Sequence, residues 1–304
     1  MKITITFLYI FYKNNHIYEK IIRSFLFLHN NFINQHMLSK NKLKLIQSLN
    51  HKKGREKENC FLAEGDKIVT EALKSNFHVD SLLSTSEFIN SHSLLCKKTC
   101  KPIEVTKKEI QSASLLQSPQ NALAIIHIPE ESFSVSALNN QFSLALDSVQ
   151  DPGNLGTIIR IADWFGISHI ICSTDTTDCF SPKVIQASMG AIFRVKIHYF
   201  DLESILEEIK KLKISVFGTF LEGENIFTSS LPSSGILVMG NEGNGISKGI
   251  SHYIDKKLTI PSFGNSGTES LNVAIATAIC CSEFKRRIIV KSTPKNQINK
   301  YNIM

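Results

Sequence analysis

Apolar residues along this chain recur with two periods, and the order in which the periods change predicts an α/β protein. Residues 38–49 place Leu38, Leu43, Ile46 and Leu49 near one face of an amphipathic helix, followed by a polar turn over His51–Lys57. Phe61-Leu62-Ala63 reads as a strand, Asp66–Leu73 as a helix carrying Ile68, Val69, Ala72 and Leu73, and Val79–Leu83, Ile103–Val105 and Ala122–Ile128 as further short strands. Residues 129–141 shift to Pro, Ser, Glu and Asn, a composition that buries little surface, and read as a linker. Beyond it, strands are expected at 142–147, 168–172, 194–198, 214–219, 236–239 and 258–260, alternating with helices near 155–165, 182–189, 203–212, 247–254 and 270–287. Such alternation implies a largely parallel sheet with helices on its faces. The expected organisation is a small α/β domain over 37–128, the linker 129–141, a parallel-sheet domain over 142–290 and a polar tail at 291–304.

Three stretches of the second half set a strand-like run directly before polar, glycine-punctuated residues: 145–167, 236–247 and 258–287. Ligands of open α/β sheets bind outside the carboxyl ends of the strands, so three such loops in one domain suggest one site. In the first, Asp151-Pro152-Gly153 makes a turn and Asn154 is placed to cap a helix beginning at Leu155. Arg160 reads either as a solvated helix residue paired with Asp163, or as a planar cation that binds phosphate or assists a hydroxyl in ionising. In the second, the run Ile236–Met239, including Val238, breaks at Gly240 and continues as Asn241-Glu242-Gly243-Asn244-Gly245. This is either a tight connection or a loop whose bare backbone lies against a ligand. The glycines fall as GxxGxG, not the GxGxxG of dinucleotide-binding proteins, and there is no GxxxxGK[ST] loop; both counts weigh against a nucleotide-dependent oxidoreductase. In the third, Leu258-Thr259-Ile260 meets Pro261, and a loop with Gly264 and Gly267 reaches Ser270-Leu271-Asn272, where Ser270 is a plausible N-cap. Leu271, Ala274, Ala278 and Cys281 then form a stripe of mostly small residues, while Lys285, Arg286 and Arg287 suit the helix dipole as well as they suit RNA.

Composition narrows the picture modestly. The 304 residues are 42% hydrophobic and 20% charged, as expected of a soluble globular protein with a real core. A formal charge of +7 is compatible with a polyanionic partner, although a mild lysine excess is also common in proteins that never touch nucleic acid. Seven cysteines without a paired framework point to a reducing cytoplasm, and Cys96 and Cys100 lack the second pair that a metal site would need, so no metal is expected. Residues 1–36 carry neither a signal-peptide cleavage site nor an unbroken apolar stretch long enough for a membrane span. Met37 opens a more ordinary sequence, so 1–36 are expected to be a non-native or disordered extension, translated from upstream DNA, with a membrane anchor and a genuine extra helix as the rival readings; no membrane association is expected.

Taken in order, the motifs NxGxxxR, GNEGxG and IP…SLNVAxA resemble the SpoU/TrmH branch of the SPOUT RNA methyltransferases, over about residues 142–290. Residues 37–128, with HKKGREKENCFLAEGDKIVTEAL, resemble the substrate-binding domain that precedes the catalytic domain in many ribosomal-RNA members. The resemblance implies S-adenosylmethionine as methyl donor, a ribose 2′-hydroxyl as acceptor, a homodimer, and a deep trefoil knot that general rules of chain connection would not suggest. At matching positions, Gly240, Ile260 and Leu271, together with Val238 and Met239, are expected to contact the cofactor. Asn154, Arg160, Glu242, Ser270 and Asn272 are expected to form the polar set around the transfer. The preceding domain favours ribosomal over transfer RNA; a transfer-RNA enzyme and a noncatalytic RNA-binding protein of the same fold are the competing expectations. The loop from Pro261 to Ser270 is slightly longer than in many relatives, a departure that bears on cofactor closure and target choice.

Overall fold

Two sheets organise the chain in the computed structural model, which describes residues 38–130, 132–264 and 270–292. The expectations for 1–36 and for the tail beyond 292 lie outside these residues. Helices α1 (Lys40–Ser48) and α2 (Lys52–Glu58) lead into β1 (Cys60–Glu64), α3 (Asp66–Lys74), β2 (Val79–Ser84), α4 (Ser86–Ser91), α5 (Ser93–Thr99), β3 (Ile103–Glu104), α6 (Lys107–Ala113) and β4 (Ala122–His127). The four strands lie in the order β1-β4-β2-β3, with β4 antiparallel to both its neighbours. The polar turn expected over 51–57 is instead α2. Its arginine is the reason: Arg55 points inward, 3% exposed, and donates to the Leu49 and Asn50 carbonyls at 2.8 and 3.1 Å. A contact made in three dimensions thus overrides local polarity.

The second sheet is entirely parallel, in the order β10-β8-β9-β5-β6-β7. It is built from β5 (Phe142–Leu146), α7 (Pro152–Trp164), β6 (His169–Ser173), α8 (Pro182–Ser188), β7 (Lys196–Phe200), α9 (Leu202–Lys211), β8 (Val216–Asn225), β9 (Gly235–Met239), α10 (Lys248–Ser251), β10 (Lys256–Thr259) and α11 (Val273–Ser292). All six expected strands are present. The helix expected over 247–254 shrinks to the four residues of α10, and α11 runs into the first two residues of the expected tail. The segment joining the sheets is not a bare linker either. It forms a short 3-10 turn at Val135–Leu138, buries Leu138, and stacks Phe133 on His198 at 4.3 Å between ring centroids.

One apolar core runs continuously through both sheets. Where they meet, Phe61 of β1 lies 4.7 Å from Phe180, and Phe77 meets Phe193 edge-on at 5.2 Å. Aromatic pairs of this kind add about 0.5–1.5 kcal/mol beyond their buried area. Polar contacts fix the register of the junction: Arg55 pairs with Asp178 at 2.6 Å, and Gln186 donates to the Glu64 carbonyl at 2.9 Å. Within the second unit α7 lies close on α8. A Cβ added to Gly156 would stand 2.4 Å from that of Ala187, so glycine alone permits this approach. Among the described residues no helix is long and apolar enough to cross a membrane, and all seven cysteines are free thiols.

Candidate active site

The three glycine-punctuated stretches converge at the carboxyl ends of the parallel strands. Leu146 of β5 pairs with Cys172 of β6 and Met239 of β9, so the chain leaving β5 passes between the ends of its two neighbours. There Asp147 is 5% exposed, and its carboxylate accepts the Ser247 N–H at 2.7 Å across the loop that follows β9. Ser148 adopts a left-handed φ of 57°, accepts from the Asn241 side chain at 2.7 Å through its carbonyl, and hydrogen-bonds Asp175 through its hydroxyl. That hydroxyl and the one of Ser173 hold the Asp175 carboxyl below its ordinary range. The ends of β5, β6 and β9 are thereby tied into one floor.

The cap of α7 differs from expectation. The helix begins at Pro152, and Asp151 is its N-cap, accepting the Asn154 N–H at 2.8 Å. Asp followed by Pro at the first helical position is a cap signature that the sequence already carried. The consequence is that the Asn154 side chain is free to act elsewhere. Its Nδ2 donates to Glu242 Oε1 at 2.9 Å, and its Oδ1 accepts from Asn272 Nδ2 at 2.9 Å. Nor is Ser270 the cap of the last helix: α11 starts at Val273, and Asn272 Oδ1 accepts the N–H groups of Ala274 and Ile275 at 3.0 and 3.2 Å. A chain of hydrogen bonds therefore runs from the amino end of α11 through Asn272 and Asn154 to the carboxylate of Glu242. Each amide accepts at its oxygen and donates from its nitrogen, so each bond polarises the next.

The loop carrying Glu242 is closed by paired backbone bonds between Asn241 and Gly245, both at 3.0 Å. Asn241 Oδ1 accepts from the Gly243 and Asn244 N–H groups at 2.9 and 3.0 Å. A Cβ at Gly240 would meet the Gly245 carbonyl carbon at 2.2 Å, so the loop folds back directly onto this buried glycine and no larger residue fits. Ile260 is half-buried, and Leu271 is 48% exposed beside the polar chain. Val238 and Met239 end β9 with fully buried side chains; Met239 already gives its carbonyl to the Asp147 N–H at 2.9 Å. These two can offer a ligand little beyond the shape of the strand end.

Not every expected residue joins this group. Ser270 is exposed and makes no hydrogen bond among the described residues. Arg160 is exposed on α7, six residues beyond Asn154, roughly 9 Å along the helix axis. It does not pair with Asp163. That carboxylate is taken by Arg194, with Nε at 3.0 and 3.1 Å from its two oxygens and Nη2 at 2.8 Å from Oδ2. Arg160 has no partner among the described residues. Of the basic residues late in α11, Arg286 and Arg287 both pair with the buried Glu283, and Arg287 also donates to the Ile226 carbonyl at 2.9 Å. Their role here is structural. Asp147, Ser148, Asn241 and Asp151 were not expected in the site, and only Asp151 had a local signal.

Residues 141–282 match the model of the SpoU rRNA Methylase family, and residues 40–124 match that of the MRM3-like substrate binding domain. The chain is 34% identical over 239 residues to 23S rRNA (guanosine(2553)-2′-O)-methyltransferase RlmP of Bacillus subtilis, covering 78% of this chain and 93% of the relative. Among solved structures, a TrmH-family protein from Porphyromonas gingivalis is 40% identical with a TM-score of 0.74, over 83% of this chain and 99% of that one. An AdoMet-bound rRNA methyltransferase from Sinorhizobium meliloti is 30% identical with a TM-score of 0.73, over 83% and 97% of the two chains. The chain belongs to the SpoU rRNA methylase family.

Proposed function

We propose that this protein transfers a methyl group from S-adenosylmethionine to a ribose 2′-hydroxyl of ribosomal RNA, acting as a cytoplasmic homodimer. The observation that carries the reading is the Asn272–Asn154–Glu242 chain, drawn from segments 118 and 88 residues apart and held at one edge of the sheet. The donor set fits the cofactor. The tightly closed loop after Gly240, the apolar surfaces of Ile260 and Leu271, and the nearby Glu242 carboxylate suit a ligand that is partly apolar and carries its own positive charge. When bound, S-adenosylmethionine supplies a sulfonium-activated methyl group.

The residues of this chain then have three tasks. Gly240, Ile260 and Leu271 hold the cofactor, largely through backbone groups. Asn272 and Asn154 fix Glu242, whose Oε2 takes no hydrogen bond among the described residues, which supports a role for it in receiving the proton that leaves the ribose hydroxyl. Arg160, a permanent cation and so no ordinary base, orients an RNA phosphate or stabilises the developing alkoxide, with Ser270 assisting. Holding methyl and oxygen in line is worth roughly 7–11 kcal/mol in favourable systems.

The division at 37–128, 129–141 and 142–290 makes the first domain the part that selects RNA, and the trefoil threading of the C-terminal loops belongs to the same reading. The dimer is supported by apolar side chains left in water: Trp164 is 85% exposed, Ile275 53% and Leu271 48%. The test is a map of 2′-O-methyl groups in ribosomal and transfer RNA from cells with and without the gene. Loss of one ribosomal site, restored by the purified protein with S-adenosylmethionine, is the expected result. A guanosine of 23S RNA, the class named for the Bacillus relative, is the first site to inspect. An unchanged map, with cofactor binding intact, would favour a noncatalytic RNA-binding protein.

A further inference from the structure

Arg160, exposed on α7, stands three residues before the Asp163 carboxylate of the same helix. Opposite charges at that spacing are neighbours and pair. Here they do not, because Arg194 reaches Asp163 first. Its guanidinium lies fork-on on the carboxylate, occupying both oxygens at 2.8–3.1 Å, and a bidentate pair of this kind outcompetes a single solvated contact. Its remaining arm, Nη1, donates to Glu71 on α3. Glu71 in turn is packed over Gly190, where an added Cβ would stand 2.8 Å from its Cγ and where φ is +91°. Arg194 is thus anchored from both sides of the junction, with Asp163 as its fixed partner.

We propose that Arg194 is a positioning residue for methyl transfer: by saturating Asp163 it keeps the guanidinium of Arg160 free for RNA. It also neutralises the carboxylate one helical turn from Arg160, which would otherwise repel a phosphate arriving there. The inference rests on the role given to Arg160 above.

The test compares Arg194→Ala, Asp163→Ala, the double variant, Glu71→Ala and Arg160→Ala in the full chain. The readouts are kcat and KM with ribosomal RNA, cofactor affinity by calorimetry, and thermal melting. Releasing Asp163 by Arg194→Ala should lower kcat/KM about two- to sixfold, the size expected when an exposed i,i+3 pair captures most of the Arg160 population. Asp163→Ala alone should stay within about twofold of the unmodified protein, and adding it to Arg194→Ala should restore activity, since no carboxylate is left to capture Arg160. Glu71→Ala should leave kcat unchanged, because Asp163 stays occupied. Should Arg194→Ala fail to fold, Arg194→Lys serves instead: one ammonium holds the carboxylate less completely, giving a smaller loss that Asp163→Ala again reverses. If the double variant remains as weak as Arg194→Ala, or Glu71→Ala reproduces the loss, Arg194 acts by docking the two units and the inference is overturned. Full activity of Arg194→Ala beside an inactive Arg160→Ala overturns it too, while leaving the reading of Arg160 in place. Full activity of Arg160→Ala removes that reading itself, and this inference with it.

Discussion

The junction between the two sheets and the loop cluster at the edge of the parallel sheet use the same side-chain chemistry to opposite ends. At the junction, Arg55 is 3% exposed, and its guanidinium is spent on Asp178 and two carbonyls beside the Phe61–Phe180 contact. At the loop cluster, Glu242, Asn272 and Arg160 are all exposed; the first two are aimed by hydrogen bonds, and the third has no partner among the described residues. Buried polar groups with most of their valences filled stabilise one arrangement. Exposed groups with valences left over hold little of the fold and are available to a ligand. The two regions should therefore separate cleanly on mutation, one in stability and the other in turnover.

The largest expected effect is on the catalytic side. Arg160→Ala should abolish methylation, a loss of at least about 10³-fold, with cofactor affinity and melting temperature unchanged. Turnover assays beside calorimetry check this, and a melting temperature that falls with activity would break the contrast. Next comes Arg55→Ala, which strands Asp178 and two carbonyls in the junction and should destabilise the fold by about 3 kcal/mol in denaturant titration. Activity per folded molecule should survive.

An effect of similar size concerns the segment that joins the two units. His198, buried under Phe133, is lowered from the usual histidine value to about 4, by burial first and then by His169 and Lys196. The folded state holds it neutral, whereas the unfolded chain protonates near pH 6.5. Its contribution is therefore complete above about pH 6.5 and is lost as the pH falls toward 4, on the order of 3 kcal/mol. Melts from pH 7.5 to 4.5 should show that slope, and His198→Phe should flatten it. The smallest effect sharpens the comparison, since Asn272 belongs to both categories. Asn272→Ala should cost about 1 kcal/mol as a lost cap of α11 and should also lower kcat by releasing Asn154. Asn272→Asp keeps the cap, but its carboxylate cannot donate to Asn154, so it should restore stability without restoring kcat. Recovery of both would mean that the cap is all Asn272 provides.

Much of this site could be read before any fold was known. Glycine order and the strand-like runs before each loop were visible locally, whereas Asn154, Glu242 and Asn272 were singled out by the resemblance to the SpoU/TrmH family. Local pattern suits Asn154 and Ser270 as helix caps as well as site residues, but the capping falls to Asp151 and Asn272. A cap can be guessed from residue type, but several nearby side chains often qualify, and only the backbone path decides which oxygen reaches the N–H groups.

The chain by itself determined the alternation of strand and helix, the parallel character of the second sheet and the three loops of the site, because hydrophobic periodicity and turn residues act within a few positions. Only the tertiary structure decided that Arg55 faces inward from a polar segment, that Arg194 and not Arg160 holds Asp163, and that Asp147 clasps a loop 100 residues away. Those pairings join residues far apart in sequence. Their energy depends on distance and burial in space, which no local pattern encodes.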